Sequence, residues 1–173
     1  MGANRRDAAY TYIGMAMRIA LAHGLHRRST NHATNPSTLN ISSATLQNNV
    51  RIWWTTYIIE RSSEFLMGRP SQIRDEDIDR EAVSDTPGFP PAGALRAHVG
   101  LATIMGQIVS QVFRTRRRRK EDADEALRHL QQWKASLPSS LQLRDDEFSS
   151  SRSVLLLHLN YNQVSPSPIL SLT

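Results

Sequence analysis

The sequence contains no cysteine. That absence excludes disulfides, thiolate metal sites and a cysteine nucleophile, and it suits a reducing compartment. Aromatic residues are also scarce, at 6% of 173 residues, with three Trp, four Tyr and four Phe. A hydrophobic content of 39% still allows a core, though a lean one. No apolar run approaches the ~20 residues that a membrane span needs. The segment Met1-Gly2-Ala3-Asn4-Arg5-Arg6 has no apolar stretch of the signal-peptide kind, and Arg6 stands where a myristoylation signal would place Ser or Thr. These features point to a soluble intracellular protein without membrane contact. Gly-rich phosphate loops, GxSxG turns, internal repeats and alternating strand patterns are missing as well.

Charge is present but unevenly placed. The formal net charge is +5, and of 21 basic residues six lie between Arg114 and Lys120. These are Arg114, Arg116, Arg117, Arg118, Arg119 and Lys120; the 15 others face 16 acidic residues, which is close to neutral. The high isoelectric point therefore reports one patch. Such a run can contact phosphates in a salt-sensitive manner or serve as a nuclear-localisation signal, and it is equally compatible with a solvated loop. No aromatic residue interrupts the six charges, which argues against a stacking platform for single strands.

The remainder reads as helix. The spacing predicts a first helix from about Asn4 to His23, with Ala8, Ala9, Tyr12, Ile13, Ala16, Ile19 and Ala20 as its apolar stripe. Gly24 is placed as its left-handed cap, with Leu25 folding back onto Ile19 or Ala20. Residues 29–40 are polar linker. A second helix starts near Ser42 or Ser43 and runs through Val50, Trp53, Trp54, Tyr57, Ile58, Arg61 and Phe65 to Met67. Gly68-Arg69-Pro70 stops it. The register places Trp54, in step with Tyr57, Ile58, Arg61 and Phe65, deeper in the core than Trp53. The acidic turn Asp75-Glu76-Asp77-Ile78-Asp79 fails as a calcium loop, because Arg80 occupies the glycine position and Thr86 the bidentate glutamate position. Glu60, Arg61 and Arg69 are its expected ionic neighbours. Residues 86–93, Thr-Pro-Gly-Phe-Pro-Pro-Ala-Gly, form the clearest boundary. A third helix follows with Leu95, Val99, Ala102, Met105, Val109, Val112 and Phe113 in phase. The fourth runs from about Asp122 to Leu137 and stops at Pro138. The fifth, Ser153 to Val164, is apolar nearly all round and reads as buried. The fold class is all-α, an irregular bundle of about five helices.

Several stretches together resemble a known family. Arg51-Ile52-Trp53-Trp54, Gly68-Arg69-Pro70, Ile73 and Asp75 to Ile78 are similar to the middle regulatory region of fungal zinc-cluster transcription factors, of the xylanolytic-activator type. So are the run Ala16 to Arg27 before them and, after them, Trp133, Leu137-Pro138 and Leu157 to Asn162. The resemblance covers about Asn4 to Val164. It implies a regulatory and interaction domain, nuclear and transcriptional, acting through protein partners of the transcription machinery, through self-association or through an inducing ligand. Zinc and specific DNA binding belong to a six-cysteine module of that family. With no cysteine here, no cofactor or metal is expected and neither property carries over to any residue. The implied organisation is residues 1–86 and 94–164 as parts of one regulatory domain, joined by 87–93, with a tail at 165–173 that two prolines keep from being helical. Departure from the family pattern at Ser165 suggests a truncated domain that leaves an apolar patch exposed.

The alternative is a helical enzyme or ligand-binding domain with a cleft near His23, His26 and Asp75 to Asp79. Nothing in the spacing sets a nucleophile beside a base or gathers three metal ligands. Capping at a helix end accounts for the two histidines.

Overall fold

The computed structural model describes residues 2–28, 42–114, 120–143 and 151–165. Among these there are five α-helices and no β-strand: α1 (Gly2–Ala22), α2 (Ser43–Met67), α3 (Gly93–Arg114), α4 (Lys120–Ala135) and α5 (Arg152–Val164). Short 3-10 turns lie at Asp75–Asp77 and Ser139–Leu141. The chain is all-α, as its periodicity requires.

The helix ends follow local chemistry. Ser42 caps α2, its hydroxyl accepting the Thr45 N–H at 3.1 Å. Both α1 and α2 close in the same way. Gly24 (φ 67°) and Gly68 (φ 59°) adopt the left-handed conformation that glycine alone enters without steric penalty. The next N–H then reaches back five residues, from Leu25 to Ala20 O at 3.0 Å and from Arg69 to Glu64 O at 3.1 Å. α1 thus ends at Ala22, one residue before the expected His23.

α2 is the central element, packed against α1 on one side and α3 on the other. One core, of Leu101, Met105, Ile108, Leu130, Leu157 and Val164 among others, joins α3, α4 and α5 and reaches Phe65 of α2. A smaller one joins Met17 and Ala20 of α1 to Trp53 and Ile73, with Leu25 against it. A third holds Val50, Val83 and Ala92 where the 83–92 segment crosses α2.

Four expectations are corrected here. On α1 the buried face is Gly14, Met17 and Ala20, while Tyr12 and Ile19 of the expected stripe are exposed. A Cβ on Gly14 would lie 2.9 Å from Gln72 Nε2, the far end of a flexible side chain. On α2 it is Trp53, with 0% exposure, that is fully buried. Trp54 is half-buried and donates its indole N–H to Glu81 O at 2.8 Å. On α5, Val154, Leu157, His158, Tyr161 and Val164 are buried, but Leu155, Leu156 and Leu159 are exposed. α4 ends at Ala135, two residues before the expected Leu137, which is buried beyond the helix.

Candidate functional site

The buried face of α2 carries Glu60, Arg61 and Glu64 alongside Trp53, Tyr57 and Phe65. Positions three and four apart on a helix share a face, which sets Arg61 and Glu60 each beside Glu64. The turn after Gly68 then folds back over them. Arg61, 2% exposed, donates through Nη1 to Glu64 Oε2 at 3.1 Å. Its Nη2 donates to Ile73 O at 2.9 Å and to Asp75 Oδ1 at 2.7 Å. Glu60 Oε2 lies 3.8 Å from Nη1. The Gln72 backbone N–H is shared by Glu60 Oε1 and Glu64 Oε1, each at 3.2 Å. Tyr57 completes the assembly: its ring lies under the guanidinium, 4.8 Å from centroid to Cζ, and its hydroxyl donates to Asp75 Oδ1 at 2.9 Å. α3 contributes Gly106, where a Cβ would stand 2.8 Å from Arg61 Cδ. Only glycine lets the arginine stem lie flat on that helix.

Three carboxylates share one guanidinium, and two of them are fully buried. Burial raises both members of the Glu60–Glu64 pair; at Glu64 the charge of Glu60 adds to it, and Glu64 is pushed up to about 8. The pair therefore keeps one proton between its two carboxyls at neutral pH. Burial opposes the Arg61 charge, but Tyr57 and Asp75 outweigh it and leave the guanidinium held more firmly than usual. Burial likewise raises the Tyr57 phenol. Two atoms of the assembly stay without a hydrogen-bond partner, Glu60 Oε2 and Arg61 Nε. Such an arrangement holds a turn to a helix. It brings no nucleophile to a base, and among the described residues no group of three His, Asp or Glu could hold a metal ion.

Trp53 belongs to the core with α1, Trp54 packs against that core and against the Val50–Val83–Ala92 one, and Gly68 and Pro70 turn the chain onto Arg61. Arg69 stacks on Tyr10 of α1 at 4.6 Å and meets Asp7 at 3.5 Å. Of the three neighbours expected for the acidic turn, only Arg61 binds it. Arg69 is turned to α1, and Glu60, itself acidic, is instead a member of the buried set. His23 is exposed. His26 packs on Trp53 at 5.8 Å, and burial, then Arg27, lowers its pKa, with Asp77 opposing. Asp75 is bound to Arg61 and Tyr57, while the Arg27–Asp79 bridge brings the turn to His26, where the charge of Asp77 is felt. Arg114 ends α3 and Lys120 begins α4, while Arg116, Arg117, Arg118 and Arg119 lie outside the described residues, as does most of the 165–173 tail. The Glu60–Glu64 pair was missed by periodicity because a hydropathy stripe scores glutamate as an outward residue. The spacing Glu-Arg-x-x-Glu inside a run of buried aromatics was the available signal.

Residues 1–142 match the fungal specific transcription factor domain, and the chain belongs to that family. It is 31% identical over 169 residues to an uncharacterized transcriptional regulatory protein of Schizosaccharomyces pombe, an alignment covering 91% of this chain and 21% of that protein. It is 27% identical to a putative transcriptional regulatory protein of Saccharomyces cerevisiae (88% and 22% covered). With the ABC-transporter-regulating transcription factor of Aspergillus fumigatus the identity is 22% (91% and 19% covered). The chain thus spans about a fifth of the length of these curated relatives. No solved structure matches it. These relatives are named as regulators of transcription, and a regulatory role in transcription is the function the family assigns. No helix among the described residues is long and apolar enough to cross a membrane.

Proposed function

We propose that this chain is the regulatory, protein-contacting part of a nuclear fungal transcription factor of the zinc-cluster type. In this reading DNA recognition and zinc reside in a cysteine-bearing module, which a sequence without cysteine does not include. Residues 1–86 and 94–164 form one regulatory domain across the 87–93 connection. The run Arg114 to Lys120 acts in nuclear import or in non-specific phosphate contact. Partners are components of the transcription machinery or a second copy of the chain. The observation that carries the reading is the family match over residues 1–142. The geometry supports it, because the resembling motif residues are spent on fastening α2 to its turn and its neighbours.

The test is a reporter assay in fungal cells, with this chain fused to a heterologous DNA-binding domain. Output should differ from that of the DNA-binding domain alone, in either direction, and Arg61→Met should abolish the difference at equal nuclear protein level. Equal output with and without the chain would overturn the proposal.

A further inference from the structure

Residues 69–77 lie as a turn across the buried charges of α2. The Gln72 N–H, the Ile73 carbonyl and the Asp75 carboxylate each end on Tyr57, Glu60, Arg61 or Glu64. Ile73 adds an apolar anchor in the core with Met17 and Trp53. The turn is held at both ends, by the left-handed Gly68 on one side and by the Arg27–Asp79 bridge on the other. Between those two points it can swing.

What it covers is a pair of carboxyls standing on one N–H. Glu60 Oε1 and Glu64 Oε1 each lie 3.2 Å from the Gln72 nitrogen, in side chains that are 1% exposed. Ionised carboxylates only accept, so two of them hold this position together when a proton lies between them. Glu64 carries that proton and donates it to Glu60. The charged groups around the pair are few. Arg61 faces it from the same helix and is shared with Asp75 of the turn, and Tyr57 touches both. α3 meets the assembly with Gly106 and the Thr103 hydroxyl, while its Arg96 is engaged at Asp85 and its His98 at Ser153. From α1, Arg18 stands beside Gly14 and Gln72, and Asp7 holds Arg69 at the exposed edge. Arg74 and Glu76 of the turn itself are exposed. With the proton in place, Arg61 faces two negative charges; without it, three.

We propose that this shared proton latches the turn: while Glu64 holds it, residues 69–77 stay closed over the pair, and its loss lifts the turn while the helices remain packed. On release the Glu64 O–H bond breaks, the electron pair stays on the carboxylate and the proton passes to solvent. Two adjacent buried carboxylates then repel, and water is what relieves them. The turn is the wall that keeps water out. The helices are joined elsewhere by cores that contain no carboxylate, so their packing does not feel the change. Local opening of a segment with few apolar contacts costs less than opening the body. Lifting frees the Asp75 carboxylate and widens the cleft of about 530 Å³ between the turn and α3, bordered by Arg74, Glu76, Gln107 and Ser110. Glu64, raised to about 8, places the event just above neutrality. The latch belongs to the fold itself and does not depend on the transcriptional reading.

Hydrogen exchange of the intact 173-residue chain, read by mass spectrometry and corrected for the intrinsic acceleration by base, tests this. Between about pH 6 and about pH 9, peptides covering 69–78 should lose about tenfold or more in protection, while those of α3 and α4 keep theirs. Glu64→Gln still donates to Glu60 and has no proton to lose, so its turn should be equally protected at both pH values. Glu60→Gln leaves a single carboxylate beside Arg61 and should behave alike, which covers the case in which Glu64→Gln does not fold. Protection at 69–78 that is indifferent to pH in the parent overturns the proposal. So does a loss shared in step by α3 and α4, which would be a weakening of the whole chain. A loss in the folded glutamine variants as large as in the parent places the trigger elsewhere and overturns it too.

Discussion

Around Leu101, Met105, Leu130 and Leu157 the interior is hydrocarbon, and each helix that meets there turns a conventional apolar face inward. Around Arg61 the interior holds four ionisable side chains and the backbone of a turn, and α2 turns its isoleucines outward. The two regions share α2 and α3, so their difference lies in what each asks of sequence. A hydrocarbon core tolerates exchange among side chains of similar volume. The Arg61 assembly has one solution, because removing any member strands another in low dielectric. Burying charge gains little stability over a hydrophobic replacement of the same shape, so the fold at Arg61 is specified more by geometry than by energy.

The largest expected effect follows directly. Arg61→Met keeps the stem volume and removes the only cation among the described residues that pairs with Glu60 and Glu64. The loss should be ~3–5 kcal/mol, as for other buried pairs deprived of one partner. Leu130→Met, a volume-conserving change in the hydrocarbon region, should cost under ~1.5 kcal/mol. Urea denaturation of both variants checks the contrast, and similar losses would erase the distinction between the regions.

Trp53→Ala comes next, at ~3–5 kcal/mol, since transfer and cavity contributions add in a site with no exposure. Trp54→Ala should cost less. Its ring is half-buried, and the Glu81 carbonyl it leaves is close enough to the surface to find water. Midpoint shifts of equal size would reject this ordering.

That ordering is the reverse of the one the sequence suggests, and the reason is physical. The helices, their caps and the all-α class were legible, because Ser42, Gly24, Gly68 and the apolar periods of α3 and α4 act locally. So were Gly68-Arg69-Pro70 and the acidic turn as motifs. Most of the inward face of α2 was legible too, as Val50, Trp53, Tyr57, Arg61 and Phe65; that Glu60 and Glu64 join it, and that Trp53 lies deeper than Trp54, was not. A hydropathy pattern assumes that charge faces water, and here Glu60, Arg61 and Glu64 compensate one another only once Asp75 and the Gln72 amide arrive from the turn. The inward face of α1 was hidden as well: Gly14, Met17 and Ala20 face the body, while Ala8, Ala9, Tyr12, Ala16 and Ile19 of the apolar stripe are exposed.

A pH series sharpens the comparison further. Glu64 is raised in the folded chain to about 8 from an ordinary carboxyl value of 4.5. Between those two values the unfolded chain has released the proton and the folded chain has kept it. Stability should therefore fall as pH rises from about 4.5 through about 8, and level off above. Glu64→Gln, which mimics the protonated form, should flatten this dependence and gain on the order of 2 kcal/mol over the parent near pH 9 relative to pH 5. Thermal melts across that range read it, and parallel curves for parent and variant would place the retained proton elsewhere.

The smallest effect separates the two regions at a single atom. Gly106 and Gly100 both lie on α3, facing Arg61 and Trp133 respectively. Alanine gains up to ~1 kcal/mol of helix propensity at either site, and it must set that against the neighbour it displaces. At Gly106 the added carbon would stand 2.8 Å from Arg61 Cδ, and the guanidinium beyond is tied at Glu64, Ile73 and Asp75. A side chain pinned at its far end cannot swing away, so overpacking of ~1–3 kcal/mol should prevail. At Gly100 the contact is 3.0 Å to Trp133 Nε1, which donates to Ala97 O at 3.1 Å; the ring stacks on Tyr161. A few tenths of an ångström of give suffices there, and Gly100→Ala should cost less. The cause can be isolated by repeating Gly106→Ala in the Arg61→Met background, where the methionine is free to move. The alanine should then cost ~1 kcal/mol less than it does beside arginine, a coupling that a double-mutant cycle measures directly. Additive losses would mean that Gly106 is there for the backbone of α3 and not for the arginine laid across it.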